Sequence, residues 1–293
     1  MRVALATCAN LPDWEVDDRP LFAALDARGV AWDRPVWDDP AVDWSAYDGV
    51  LVRTTWDYME RLDAYVAWAE QVARVTRLHN PASVVRWNTR KTYLGALEAL
   101  GVPIAPTVWL TSPVPLAPIL ASRGWERGFL KPVVGATARE TCRFVAEDLA
   151  LAQAHADRVL QREGLMLQPY LRSVEDEGEL SVIVIDSVPS HAVRKIPVPG
   201  DYRVQDDFGA KDVRIDLPDD LAALAAQALG AASVLLGGEP LLYGRVDALR
   251  GDDGRLVLNE LELVEPSLFL RHAPEAADRL IAAWLDRLAT PAG

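Results

Sequence analysis

The segment 245–262, RVDALRGDDGRLVLNELE, constrains the fold most because two strand-like patterns flank a turn sequence. Asp-Gly is a strong signal for a two-residue hairpin loop, so we place Asp253 and Gly254 in the loop and Asp252 opposite Arg255. Facing residues in such a hairpin hold their Cβ atoms about 4.5–5.5 Å apart. The register predicts two charged cross-strand pairs: Asp247 with Glu260, and Arg245 with Glu262.

The two glutamates of this hairpin occupy positions at which apolar residues are expected. Side chains alternate along a strand, so Glu260 and Glu262 should face the same way as Leu256, Leu258 and Val264. Three close carboxylates repel one another unless a cation lies between them, and Mg²⁺ prefers such hard oxygen ligands. The alternative is a solvated face on which the three acids and the arginine simply pair across the strands.

Composition narrows the class of partner. The net charge of −13 argues against a nucleic-acid backbone, and no apolar run is long enough to span a bilayer. Cys8 and Cys142 form neither a disulfide framework nor a zinc pattern, and the first residues read as a β-strand rather than a signal peptide. We expect a cytoplasmic protein that acts on a small molecule, without nucleic-acid or membrane partners.

Lysine is rare in this chain. Only four of the 30 basic residues are lysine, and a compact ammonium suits a phosphate better than the planar arginine fork does. Chance drift is the alternative explanation for any one of them. The four are Lys91, Lys131, Lys195 and Lys211.

The first 80 residues alternate strand and helix patterns, which predicts a parallel sheet with ligand crevices at the carboxyl ends of its strands. Residues 53–57 follow the second strand and should line such a crevice. Arg53 could bind the carboxylate and Asp57 the ammonium of an amino acid, with Thr55 and Trp56 beside them. Packing at the strand end is the alternative for Trp56.

The rest of the chain reads as mixed helices and strands. We predict one helix that ends at Gly101, two short strands around a small-residue loop at 135–137, and a strand at 165–171. A hairpin should turn at 186–189, and residues 200–214 look loop-like.

This order of parts resembles the ATP-grasp superfamily, whose closing hairpin carries an acid on one strand and an acid-x-acid pair on the next. The resemblance implies ATP and Mg²⁺ as cofactors. It assigns the metal ligands Asp247, Glu260 and Glu262. It also assigns nucleotide contacts and residues near the phosphates and acyl group, which are, in turn, Lys91, Lys131, Gly135, Thr137, Gln168, Tyr170, Leu171 and Glu179, with Glu175 as a rival acid; and Lys195, Arg203 and Arg245. Apart from the resemblance, His191 is a candidate substrate contact because it lies close to Lys195 in the sequence.

More narrowly, residues 36–58, VWDDPAVDWSAYDGVLVRTTWDY, resemble the D-cycloserine synthetase group (O-ureidoserine cyclo-ligases) among glutathione-synthetase-like enzymes. The resemblance implies an α/β chain with α+β elements: an ATP-grasp fold after a Rossmann-like pre-ATP-grasp domain. The expected boundaries are 1–84 for the first domain and 85–293 for the ATP-grasp domain, with a lid at about 105–171 and a C-terminal lobe at about 172–293.

The activity implied is ATP-dependent activation of an amino-acid carboxylate as an acyl phosphate, followed by attack of a nitrogen nucleophile. Cyclisation within one molecule, as in D-cycloserine formation from O-ureido-D-serine, and ligation of two molecules both stay open. A non-catalytic nucleotide-binding protein is a further alternative, and a homodimer is one open assembly. Two departures from the family pattern are a lid loop, VVGATARET, without a serine- and glycine-rich run, and acid-x-acid where several relatives have acid-x-Asn.

Overall fold

The structure is a computed structural model that describes residues 1–11, 15–135, 137–238 and 241–290. Within these residues the strands form three sheets. The strands are β1 (Arg2–Thr7), β2 (Ala31–Asp33), β3 (Gly49–Thr54), β4 (Arg77–His79), β5 (Val108–Leu110), β6 (Arg127–Pro132), β7 (Cys142–Val145), β8 (Leu165–Pro169), β9 (Glu179–Ile185), β10 (Val188–Ile196), β11 (Lys211–Ile215), β12 (Tyr243–Arg250) and β13 (Leu256–Glu262). The α-helices are α1 (Arg19–Ala27), α2 (Leu62–Val75), α3 (Ala82–Asn88), α4 (Tyr93–Ala99), α5 (Leu116–Arg123), α6 (Ala150–Val159), α7 (Ser173–Asp176), α8 (Asp219–Leu235) and α9 (Pro274–Ala289).

The first sheet is parallel, with the order β2-β1-β3-β4, as the alternating pattern predicted. Strands β1 and β3 are buried almost throughout because helices cover both faces. Helix α2 packs on one face, while α1 and the C-terminal α9 pack on the other. The edge strands β2 and β4 were not predicted, since three residues are too short to show an alternation.

The other two sheets are antiparallel and face each other across the later part of the chain. The order β5-β8-β6-β7 forms a small sheet that packs against α5 and α6. The order β11-β10-β9-β12-β13 forms the larger sheet, and α8 covers one of its faces. The three sheets lie within the predicted segments 1–84, 105–171 and 172–293, although α9 packs on the first sheet; the division into domains stays a prediction.

Two local predictions were wrong. The single helix expected before Gly101 is the pair α3 and α4, separated at 89–92. The break exists because the backbone N–H of Lys91 donates to the carbonyl of Val133, 2.8 Å away. This hydrogen bond holds Lys91 beside the small sheet and outside both helices. Residues 200–214 are not only loop, because the edge strand β11 begins at Lys211.

Candidate active site

The hairpin of β12 and β13 has the predicted charged pairs but not the predicted turn. Arg245 pairs with Glu262 and Asp247 with Glu260, whereas the next pair is Ala248 with Leu258. Asn259 is therefore an extra residue, a β-bulge that shifts the register by one. The shift compensates for the loop, which has three residues instead of two: Gly251 and Arg255 close it, and Gly254 takes a positive φ of 79°.

The bulge also decides which way the glutamates face. Leu256 and Leu258 pack in the core beneath α8, together with Leu261 and not with the residues at 260 and 262. The prediction that the glutamates share a face with Leu256 and Leu258 was therefore wrong. One inserted residue reverses the alternation, so that the acids face an open cleft while leucines on both sides of the bulge face the core.

Three carboxylates converge on this cleft. Oxygens of Asp247, Glu260 and Glu262 lie within 4.8 Å of one another, which is the separation expected of ligands to one ion. Asp247 is 1% exposed and the two glutamates are partly buried. Arg245 donates to Asp247 at 2.9 Å and contacts Glu262 as well, so the guanidinium neutralises part of the cluster.

The three acids differ in how well the surrounding protein compensates their negative charge. Burial would raise the pKa of Asp247, but Arg245 and Lys195 hold it well below its usual range. Burial likewise opposes the charge of Glu260, and Lys91 overcomes it, so its pKa is lowered. Glu262 behaves oppositely: burial raises its pKa to about 7 although Arg245 counteracts the rise. Of these three acids, Glu262 is the one whose anion the protein alone stabilises least.

Three of the four lysines reach the cleft from three different elements. Lys91, between α3 and α4, contacts Glu260 and donates to the carbonyl of Gly135 at 2.9 Å. Lys131 of β6 donates to Asn259 at 2.8 Å, and burial lowers its pKa. Lys195 of β10 contacts Glu179 and lies 3.3 Å from Asp247. The fourth lysine, at the start of β11, does not line the cleft.

The predicted nucleotide residues lie at the small-sheet end of the cleft. Gln168, Tyr170 and Leu171 line it, and the Gln168 amide donates to Thr107 at 2.9 Å. The same end is apolar, since the two residues after Gln168 and Pro169 pack with Ala105, Leu249 and Val257. Gly135 and Thr137 also line the cleft, while Ala136 between them lies outside the described residues.

The two rival acids, Glu175 and Glu179, differ in whether they line the cleft. Glu179 lines the cleft and contacts Lys195. Glu175 does not line it, because Arg143 binds its carboxylate at 2.7 Å beside the Tyr170 hydroxyl. Of the two, Glu179 alone is placed to meet a ligand.

Arg203 lines the cleft from a loop that follows β10. Its guanidinium donates to Asp201 at 2.6 Å and lies 3.9 Å from the centroid of the Phe208 ring. The arginine is about one-third exposed, so it can turn towards a bound anion without breaking a buried pair.

Four predicted substrate residues do not line the cleft. Arg53 is 1% exposed, with its guanidinium bound to Asp18 at 2.7 Å and to the carbonyl of Pro266. Thr55 is fully buried, and its hydroxyl bonds to that of Tyr65. Both lie in the core around the first sheet, Arg53 within β3 and Thr55 directly after it.

Asp57 and His191 are also engaged elsewhere. Asp57 accepts a hydrogen bond of 2.7 Å from the Trp37 indole and binds Arg61. His191 contacts the carbonyl of Leu268 at 2.9 Å, and burial lowers its pKa. The expectations that Arg53, Asp57 and His191 meet a substrate are therefore not supported by this arrangement.

Trp56 is the predicted substrate residue that does line the cleft, and its indole N–H donates to the carbonyl of Glu265 at 3.0 Å. Sequence analysis did not single out several other lining residues, among them Glu15, Asn259 and Glu265. A signal existed for Glu265, a third acid in the apolar run 256–267. None existed for Asn259, because a bulge has no sequence pattern of its own.

Comparisons with known proteins agree with this geometry. Residues 3–80 match the family described as "D-cycloserine synthetase DcsG, N-terminal domain". The chain is 36% identical over 298 residues to the cycloserine biosynthesis protein DcsG of Streptomyces lavendulae, covering 98% of each. The chain belongs to the D-cycloserine synthetase family.

Solved structures give the same result for this family member. The crystal structure of D-cycloserine synthetase DcsG matches with a TM-score of 0.90 and 34% identity, over 98% of this chain and 100% of that one. The ATP-grasp ligase PsnB, solved with a minimal precursor, matches with a TM-score of 0.64 and 22% identity, over 96% and 99%, and shares the fold.

The predicted ATP-grasp fold and the predicted enzyme class, an ATP-dependent carboxylate–amine ligase, are therefore confirmed. ATP-grasp ligases in general use ATP and Mg²⁺, and a small-molecule substrate suits a biosynthetic ligase. Which residues bind these molecules here stays a prediction. Over the described ranges, no helix has the length and apolar character that a membrane span requires.

Proposed function

We propose that this ligase activates the carboxylate of an amino-acid substrate with ATP and closes it into a ring, forming D-cycloserine from O-ureido-D-serine. Support comes from the match to D-cycloserine synthetase DcsG along nearly the whole of both chains. The observation that carries the chemistry is the convergence of three acids and three lysines on one cleft.

Asp247, Glu260 and Glu262 fit a Mg²⁺ site. All three offer carboxylate oxygens, the ligands that Mg²⁺ prefers together with phosphate oxygens. The raised pKa of Glu262 supports the fit, because burial and the neighbouring acids disfavour its anion, which a bound cation would stabilise. Bound there, Mg²⁺ would neutralise charge on the phosphates during transfer.

The lysines would hold the phosphates in line with the acid substrate. Lys91 and Lys131 lie beside the acids, so their ammonium groups can bind phosphate oxygens once the nucleotide enters. A substrate carboxylate oxygen then attacks the γ-phosphorus, the bond to ADP breaks, and an acyl phosphate forms. Arg203, Arg245 and Lys195 are our candidates for stabilising its negative charge.

Ring closure follows from the acyl phosphate. The ureido nitrogen bonded to oxygen attacks the acyl carbon, loses its proton, and inorganic phosphate leaves. Water then hydrolyses the carbamoyl group from the ring nitrogen and releases carbon dioxide and ammonia, which completes the atom balance from O-ureido-D-serine to D-cycloserine.

The test is the identity of the product. Purified protein is incubated with ATP, Mg²⁺ and O-ureido-D-serine, and the products are analysed by mass spectrometry. We expect D-cycloserine and ADP in equal amounts. ADP release that requires an added amine and yields a linear amide would instead assign ligation between two molecules.

A further inference from the structure

Strand β13 runs along the length of the cleft, so its successive residues mark positions within it. Val257, near the hairpin loop, packs with Tyr170 and Leu171 at the apolar end. The acids at 260 and 262 come next, and Val264 already packs in the core of the first domain. A strand rises about 3.3 Å per residue, so the apolar end and the last metal acid are about 16 Å apart.

This order fixes where a substrate must extend. If adenine lies at the apolar end and the phosphates at the acids, the reacting carboxylate meets the γ-phosphate beyond them, on the side of the first domain. In an α-amino acid the ammonium is two bonds from the carboxyl carbon. It must therefore lie just past the acids, where Glu265 lines the cleft.

Glu265 differs in its surroundings from Glu179 and from the two acids of β13. Glu260, Glu262 and Glu179 each contact a lysine or an arginine. Within the described ranges, no lysine, arginine or histidine nitrogen lies within 4.0 Å of the Glu265 carboxylate. A cation from outside the chain is the partner that such a partly buried carboxylate lacks.

The backbone at this residue is held in place while the side chain faces the cleft. The Trp56 indole donates to the Glu265 carbonyl at 3.0 Å, and Trp56 and Tyr58 line the cleft around it. Aromatic faces beside a carboxylate favour an ammonium, since both attract positive charge. Trp56 and Tyr58 thus line this part of the cleft, whereas Arg53 and Asp57 do not line it.

We propose that Glu265 is the specificity-determining residue that binds the α-ammonium of the substrate, with Trp56 and Tyr58 forming the wall around that group. The inference rests on the proposed function, because it takes the activated acid to be an amino acid. It predicts that the enzyme prefers amino acids to simple carboxylic acids.

The experiment compares two acids that differ only in the ammonium. O-ureido-D-serine is one, and 3-(ureidooxy)propanoate, which has hydrogen in place of the amino group, is the other. ADP release gives kcat/KM for both with the wild type, Glu265→Gln and Glu265→Asp. Melting temperature and the affinity for Mg²⁺ with a non-hydrolysable ATP analogue check the fold and the nucleotide site.

We expect Glu265→Gln to lower kcat/KM for O-ureido-D-serine at least about tenfold, the loss typical of one charge-assisted hydrogen bond, and to leave 3-(ureidooxy)propanoate within about twofold. Glu265→Asp should recover part of the preference. Equal losses for both acids would overturn the inference, because a merely structural role lowers both. If Glu265→Gln does not fold, the same comparison of kcat/KM for the two acids in Glu265→Asp tests the inference.

Failure of the proposed function looks different. In that case the wild type forms no D-cycloserine but releases ADP with another amino acid, such as D-alanine or D-serine. The loss of kcat/KM in Glu265→Gln is then measured for that amino acid and for its des-amino acid. A loss confined to the amino acid supports the inference, and equal losses overturn it. A wild type that releases ADP equally well with amino acids and with their des-amino acids overturns the inference about Glu265.

Discussion

The two glutamates of β13 should affect the stability of the ligand-free protein with opposite signs. Glu260 is stabilised as a carboxylate by Lys91, whereas burial raises the pKa of Glu262 to about 7 despite Arg245. Neutralising Glu262 should therefore relieve an unfavourable charge. Neutralising Glu260 should leave Lys91 without its partner.

The expected size follows from the pKa of Glu262. The folded protein keeps this proton up to about pH 7, while the unfolded chain loses it near 4.5, so the free energy of unfolding falls as the pH rises through that window. At pH 8 the loss is about 3 kcal/mol, at about 1.4 kcal/mol per pH unit. Glu262→Gln should recover up to that amount at pH 8 and little at pH 5. Glu260→Gln should cost about 2 kcal/mol through the broken charged contact.

Urea unfolding at pH 5 and pH 8, in EDTA and without nucleotide, measures both variants. Glu98→Gln on the exposed side of α4 is the matched control, and it should change neither value. A Glu262→Gln protein that is less stable than the wild type at pH 8 would refute the reasoning. Cross-strand pairing with Arg245 would then explain the acid, and no cation would be needed.

Three further predictions concern other parts of the chain. Deleting Asn259 leaves the facing pairs Asp247–Glu260 and Ala248–Leu258 directly adjacent, so both glutamates keep facing the cleft and ADP formation should persist, although Lys131 loses its acceptor; a deletion variant that forms no ADP would contradict this account of the bulge. Asp18→Asn leaves the Arg53 guanidinium buried without its counter-charge and should cost about 3–5 kcal/mol in urea unfolding. If Asp18→Asn instead leaves stability unchanged and raises KM for the acid substrate, Arg53 would be assigned to the substrate site. Burial lowers the pKa of His79 to about 4, so the unfolding free energy should fall by about 1.4 kcal/mol per pH unit between 6.5 and 4. His79→Gln should flatten that dependence, and an unaltered slope in urea titrations would exclude this histidine as its source.

The sequence predicted the parts of the site that depend on residue type and order. The acid pairs and the parallel first sheet follow from spacing and alternation, whereas the lysines at 91, 131 and 195 were assigned to the site by the resemblance to the ATP-grasp superfamily. The hairpin shows why the prediction from sequence was only partly correct. Its facing pairs were predicted correctly from a loop of the wrong length, because the bulge at Asn259 cancels the error.

The failures share one physical cause, which is contacts made over long sequence separation. Arg53 lies near the carboxyl end of β3 and could face a crevice, but its partner Asp18 is 35 residues away and the strand is covered on both faces. His191 is held by a carbonyl 77 residues away. A local pattern shows that a charged residue ends a strand, and it cannot show which distant group meets it.

Substrate-dependent ADP formation in the double variant Glu260→Ala, Glu262→Ala tests the central claim most directly. The claim is that the acids of the hairpin bring Mg²⁺ and ATP to the carboxylate that is activated. We predict that turnover falls below detection while the variant still melts cooperatively, since transfer depends on positioning and charge neutralisation at that point. Turnover close to that of the wild type would contradict the account.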